Sequence, residues 1–256
     1  MKIAVAGATG LVGTRLCRVL DDAGVEVIRM SRASGVDLFS GLRVNEALNG
    51  ADAVVDCVQS PTFEESQATH FFRRVAVILG RAGHRAGVRR HVVLSVVGCD
   101  RFATSDATSD WALAGYYRAK FAHEQATRQE TPGPAVLRST QVFEFVGQEI
   151  ERGRDGDDRT HVADLPIQPV DLDETVRALA NLATGSDDRT EVQIAGPQRE
   201  HLIDLATAFN HHYFDGTTIV PVPSGPVMRD GILLPVHGVD IAGPIFADWL
   251  RTFPRC

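Results

Sequence analysis

The chain has 256 residues, 44% of them apolar and 23% charged, which excludes a disordered, collagen-like or coiled-coil protein. A chain of this length removes roughly 70–75% of its unfolded surface from water, so it needs no disulfide or structural metal to fold. Asp and Glu outnumber Lys and Arg 33 to 26, and the net charge of −7 argues against nucleic acid or an anionic membrane as partner.

Residues 3–6 are a short apolar run closed by Gly7, read as a strand buried on both faces. A signal peptide is rejected because the run turns into a glycine-patterned loop and meets Arg15 and Arg18. Residues 11–23, with Leu11, Leu16, Val19 and Leu20 at helical spacing, predict a helix stopped by Gly24. A strand follows at 25–30, a short third one is expected to include 36–38, and a weak helix at 44–48 precedes a turn. Residues 53–58 read as a buried strand, 66–86 as a long helix ended by Gly87, and 91–97 as the next strand. A helix over 115–128 and a strand over 135–138 are separated by Pro132-Gly133-Pro134. Strands alternating with long helices predict an α/β protein with a Rossmann-type, doubly wound parallel sheet.

After Phe143 the pattern loosens. The charged run 151–159 predicts a mobile loop, and a strand at 167–170 leads into a helix opened by Asp171 with Glu174 in a capping box. A strand at 192–195 returns to the sheet, 202–209 is helical, and a Pro- and Gly-rich stretch at 221–226 precedes a helix at 245–250. The expected organisation is one unit, with a core of about 1–143 and a smaller substrate-binding lobe of about 144–256 that sends a strand and a helix back to the core. Cys17, Cys57, Cys99 and Cys256 lie far apart without a CxxC pair, predicting reduced thiols in a cytoplasmic protein and no metal site. Cys17 and Cys57 are expected in the core. No apolar stretch is long enough for a membrane helix.

The sharpest feature is Gly7-Ala8-Thr9-Gly10-Leu11-Val12-Gly13, placed between a strand and a helix. Gly7 allows a tight turn, Gly10 admits a pyrophosphate close to the backbone, and Gly13 lets the helix approach the sheet. The free N–H groups of that helix start favour a bound anion, which predicts a dinucleotide site. The second strand ends at Ser31 and Arg32, where an NAD-selective site usually has a carboxylate. A hydroxyl and a guanidinium suit a 2′-phosphate, so NADP is preferred over NAD, with Arg29 as a competing cation. Asp37 either accepts from the adenine amino group or serves the turn.

Tyr116-Tyr117-Arg118-Ala119-Lys120 holds a Tyr-x-x-x-Lys pair on one helix face, where an ammonium can lower the pKa of a phenol for proton transfer. Ser95 ends the preceding strand, at the sheet edge where ligands bind. Together with Gly7-x-x-Gly10-x-x-Gly13 and Leu137-Arg138-Ser139-Thr140-Gln141, these residues resemble the short-chain dehydrogenase/reductase superfamily, and more narrowly its atypical, NmrA-like branch. The resemblance covers residues 1–143 well and the remainder loosely. It implies NADP as cofactor, with Tyr116 as acid or base, Lys120 holding the nicotinamide ribose and tuning Tyr116, and Ser95 steadying the substrate oxygen. It also implies that Gln59 and Ser60, and Ser139, Thr140 and Gln141, border the nicotinamide.

The expected function is an NADPH-dependent oxidoreductase that passes hydride to a carbonyl or conjugated carbon of a small, largely apolar substrate. The alternatives are a redox-sensing NADP(H)-binding protein and a net-neutral isomerase or epimerase. A homodimer is compatible with each. His211-His212 is expected to be a partly solvated helix end. Phe143, Phe145, Phe214 and Met228 either line an apolar pocket or form plain core.

Overall fold

Apolar runs and helix-stopping glycines set the order of the first elements. The computed structural model describes residues 1–105, 113–156, 158–213 and 217–252. Strand β1 (Lys2–Ala6) is closed to solvent from Ile3 onward. Helix α1 (Leu11–Asp22) buries Gly13, Leu16, Cys17 and Leu20. Gly24 beyond it takes φ +73°, the left-handed conformation that glycine adopts at least cost. Strand β2 (Glu26–Met30), helix α2 (Val44–Ala47) and strand β3 (Ala53–Asp56) lead to the 22-residue helix α3 (Glu65–Ala86). Strand β4 (Arg90–Val96), helices α4 (Cys99–Thr104) and α5 (Ala114–Glu130) and strand β5 (Pro134–Ser139) follow. Helices α3 and α5 touch backbone to backbone, because a Cβ on Gly80 would sit 2.1 Å from the Glu130 carbonyl oxygen.

The later elements are α6 (Glu144–Arg152), β6 (Arg159–Asp164), β7 (Pro166–Ile167), α7 (Leu172–Thr184), β8 (Glu191–Ala195) and β9 (Glu200–His201). Helix α8 (Leu202–Tyr213), β10 (Thr218–Pro223), α9 (Pro226–Arg229), β11 (Val239–Ile241) and α10 (Phe246–Thr252) complete the described chain. The central sheet is parallel and seven-stranded, in the order β11-β8-β5-β4-β3-β1-β2. The chain steps outward from β1 to β2, then crosses to β3 on the other side of β1. That reversal opens a crevice at the carboxyl ends of β1 and β3, the place where sheets of this kind bind ligands.

The doubly wound sheet is the one expected, but several local readings change. Residues 36–38 form no strand. Gly35 and Gly41, both at positive φ, fold the segment into a loop with one antiparallel bridge between Asp37 and Leu42, which leaves β2 at the sheet edge. The expected loop at 151–159 is shorter, because α6 runs to Arg152 on the buried side chains of Val146 and Ile150, and Arg159 already starts β6. The expected strand at 167–170 shrinks to β7, paired with β9, while Val170 bridges Val142. Pro221 and Pro223 do not exclude a strand, since β10 pairs in parallel with β6 alone. Strand β11 and helix α4 were not anticipated.

The described residues fall into two compact units. The first comprises those of Met1–Thr104, Ala112–Arg138 and Val176–Val192; the second, those of Ser105–Trp111, Ser139–Thr175 and Gln193–Cys256. The first is centred on Met30, Leu48, Val54, Phe72, Val75 and Leu79. In the second, Phe143 packs on Phe246 and Trp249, with ring centroids 5.4 and 5.1 Å apart. Phe143 and Met228 are buried and Phe145 is half-buried, whereas Phe214 and Cys256 lie outside the described residues. No helix among the described residues is long and apolar enough to cross a membrane.

Candidate cofactor and catalytic site

The crevice at β1 and β3 is built first by glycine. Gly7 has φ +78°, and a Cβ there would lie 2.9 Å from the Cys57 carbonyl oxygen, so the turn off β1 and the end of β3 close on each other only through glycine. A Cβ on Gly13 would lie 2.2 Å from the Gly7 oxygen, which fixes how closely α1 enters the sheet. At Gly10 a Cβ would meet only that oxygen, at 3.4 Å, and Gly10 faces open space. No side chain caps α1, and its first turn carries no acidic residue. The N–H groups of Leu11, Val12 and Gly13 therefore have no intrahelical acceptor. An uncapped helix start beside an open glycine fits the pyrophosphate of a dinucleotide.

From this loop a cleft of about 840 Å³ runs along the edge of the first unit, lined among others by Thr9, Gly10, Ser31, Arg32, Asp37 and Gln59. Leu11, Val12 and Gly13 are not part of its lining; Leu11 is exposed rather than on the buried face of α1. Ser31 begins a short turn over Arg32–Ser34, where its hydroxyl accepts the Ser34 N–H at 3.3 Å. Arg29 is held by Asp21. Arg32, by contrast, has no side-chain hydrogen bond or salt bridge among the described residues; it lines the cleft near Asp37, whose carboxyl its charge helps to lower. The Asp37 carboxylate is held below its usual range by the Ser40 side chain and by the Phe39 N–H, 2.9 Å away. The turn reading of Asp37 is thus realised, on the wall of the same cleft.

Further along, Gln59 connects the cleft to α5. The Tyr116 hydroxyl donates to Gln59 Oε1 at 2.8 Å. Phe63 stands edge-on to the Tyr116 ring at 5.4 Å and Phe72 at 6.0 Å. Burial pushes the Tyr116 phenol above its ordinary pKa, and the hydrogen bond to Gln59 only partly opposes this. The phenol is therefore protonated at neutral pH.

Lys120 does not meet Tyr116. It is buried, and its Nζ donates to the Leu94 carbonyl at 2.7 Å and to His123 Nδ1 at 3.1 Å, with the Phe72 ring 4.6 Å away. His123 Nε2 lies 3.0 Å from Asp56 Oδ2 and its ring stacks on Phe72. With Nδ1 accepting from the ammonium, Nε2 carries the hydrogen that Asp56 receives. Burial lowers the pKa of both Lys120 and His123, while Asp56 pulls each back up. Burial raises Asp56, but His123, His91 and Lys120 outweigh it and hold the carboxyl at about 2. The expected tuning of Tyr116 by Lys120 is absent from this arrangement, because packing gives the ammonium nearer partners inside the fold.

Ser95 is also turned inward. Its hydroxyl lies 3.6 Å from Cys99 Sγ, and the Cys99 thiol donates to Glu124 Oε1 at 3.1 Å. Burial pushes the Cys99 thiol up to about 12. Arg138 grips Glu124 with two bonds of 2.8 Å and reaches Asp100 with a third. Burial works against the Glu124 charge, yet this fork holds its carboxyl at about 2. Asp56, His123, Cys99 and Glu124 were not singled out in the sequence, although Lys120, His123 and Glu124 share one face of α5.

In the second unit, Ser139 bonds the Thr140 carbonyl and the Thr175 hydroxyl, at 2.8 and 2.9 Å. Thr140 Oγ1 is buried without a partner among the described residues. His211 is exposed and His212 packs edge-on to Tyr213, as expected of a solvated helix end. Among the described residues no cluster of His, Cys, Asp and Glu could hold a metal.

Comparison with known proteins bears on the fold and the family. Over 69 residues the chain is 33% identical to a zinc-type alcohol dehydrogenase-like protein of Schizosaccharomyces pombe, a match covering 25% of this chain and only 21% of that relative. Its fold resembles a dTDP-4-dehydrorhamnose reductase of Clostridium acetobutylicum, with a TM-score of 0.68 at 17% identity over 87% of this chain and 84% of the other. A UDP-glucose 4-epimerase of Thermotoga maritima, solved with UDP-glucose, gives 0.67 at 14% over 94% and 90%. A short-chain dehydrogenase/reductase superfamily protein of Agrobacterium tumefaciens with bound NAD gives 0.63 at 17% over 88% and 86%. The family model described as the NAD dependent epimerase/dehydratase family matches residues 3–163, from the first strand through the glycine loop, Tyr116 and Lys120. The chain belongs to the NAD dependent epimerase/dehydratase family.

Proposed function

We propose that the chain is a cytoplasmic NADPH-dependent reductase of a small, largely apolar carbonyl or conjugated compound, akin to the NmrA-like branch. Arg32, a cleft residue without a salt bridge among the described residues, stands where NAD-selective sites place a carboxylate, and carries the coenzyme preference. Leu11, Val12 and Gly13 would hold the pyrophosphate through backbone N–H groups, Thr9 and Gly10 would flank it, and Ser31 and Arg32 would meet the 2′-phosphate. When bound, the nicotinamide supplies a hydride. Tyr116, protonated at neutral pH, is in the form that reduction of a carbonyl needs in order to give a proton to the oxygen.

Net-neutral epimerisation is the second reading, supported by the family to which the chain belongs. It needs the same tyrosine first as a base, and burial opposes that form. The test is whether the protein oxidises NADPH in step with loss of a ketone or quinone, and whether Tyr116→Phe abolishes this while retaining coenzyme affinity. Unchanged turnover in that variant, or product formed with no net change in coenzyme absorbance, contradicts the reductase reading.

A further inference from the structure

We infer that Gln59 supplies the second hydrogen-bond donor to the substrate oxygen, the place that Ser95 was expected to take. The inference rests on the reductase reading and deepens it. Ser95 is buried against Cys99, on the side of β4 that carries the Glu124 and Arg138 cluster, and does not line the cleft. Lys120 is equally committed, to Leu94 and His123. Gln59 is exposed in the cleft, and its Oε1 receives the Tyr116 proton at 2.8 Å.

The amide faces the phenol with Oε1. With Oε1 taken by the phenol, Nε2 and both of its hydrogens are left without a protein partner among the described residues. A hydroxyl donating to an amide oxygen also polarises the amide, which strengthens its N–H groups as donors. An oxygen entering beside Tyr116 thus meets the amide N–H first, and the one phenol proton reaches it only by leaving Gln59 Oε1. Phe63 stands edge-on to the Tyr116 ring beside the pair, which stays open to solvent.

The experiment uses NADPH with menadione as carbonyl probe and compares Gln59→Leu and Gln59→Glu with the parent protein. Removing one donor of this kind costs about 10²-fold in kcat, with coenzyme affinity, read by fluorescence, within about threefold. Gln59→Glu can still accept the Tyr116 proton, but its ionised carboxylate offers no donor, so it should be as slow as Gln59→Leu at neutral pH. On acidification it should recover as the carboxyl gains a proton, a pH dependence that the parent and Gln59→Leu lack. Parental kcat in Gln59→Leu, or an acid-insensitive Gln59→Glu, overturns the inference. A parent protein that leaves menadione untouched instead counts against the reductase reading. The Gln59–Tyr116 pair is then judged by tyrosinate absorbance, taken as the difference from Tyr116→Phe. A Tyr116 titration that moves in Gln59→Leu upholds the pair, and an unmoved one overturns it.

Discussion

His123 Nε2 lies 3.0 Å from Asp56 Oδ2, joining two side chains 67 residues apart that are both closed to solvent. His91 sits beside the same carboxylate at 4.0 Å, and burial pushes its pKa from 6.5 down to about 4. In the unfolded chain His91 takes up a proton below its ordinary pKa, whereas in the fold it resists until about 4. The unfolded state therefore binds more protons in that window, and stability falls as the pH drops from about 6.5 to 4, by on the order of 3 kcal/mol. Asp56 and Glu124, both held at about 2, lose their contribution at still lower pH. Urea unfolding at a series of pH values checks this; a flat profile between pH 6.5 and 4 contradicts it.

Gly13→Ala should cost about 2 kcal/mol or more, because its new methyl lands on the Gly7 carbonyl and neither backbone can yield. The same substitution should abolish NADPH-dependent protection in thermal melts. Gly13 takes no positive φ, so the cost is one of contact and not of left-handed strain.

Arg32→Glu should reverse the coenzyme preference. A carboxylate at the end of β2 repels a 2′-phosphate and accepts from a 2′-hydroxyl, so NADPH should weaken by about tenfold or more while NADH tightens. Titration of each coenzyme against the parent protein and the variant measures the ratio, and a ratio unmoved by the substitution rejects Arg32 as the discriminator.

Arg138→Met leaves Glu124, in a closed site, with Arg128 as its salt-bridge partner at 3.1 Å and should cost roughly 1–3 kcal/mol. Adding Glu124→Gln should return part of that loss, because the under-paired charge disappears with it. Denaturant midpoints of the two single variants and the double variant give the coupling; simple additivity would show that the pair is not the source.

The parts of this fold that could be read from the chain are those where a single residue type is forced. Gly7 and Gly13 are irreplaceable for reasons of contact, and the loop between β1 and α1 announces itself for that reason. Helix stops at Gly24 and Gly87 are equally plain. Residues 36–38 misled because an apolar-polar-apolar triplet looks like a strand whether or not flanking glycines at 35 and 41 fold it back. The site was half legible. Tyr116 and Lys120 share a helix face as their spacing demands, but which neighbour each meets depends on β3 and β4. Leu94 and His123 claim the lysine, and Cys99 claims Ser95. A histidine three residues after the lysine and a glutamate four after it were the available signal that this face points inward.

The bare contact of Gly80 with the Glu130 carbonyl has a mechanical consequence. No methyl group fits between the two longest helices there, so hydrogen alone sets how near the middle of one comes to the end of the other.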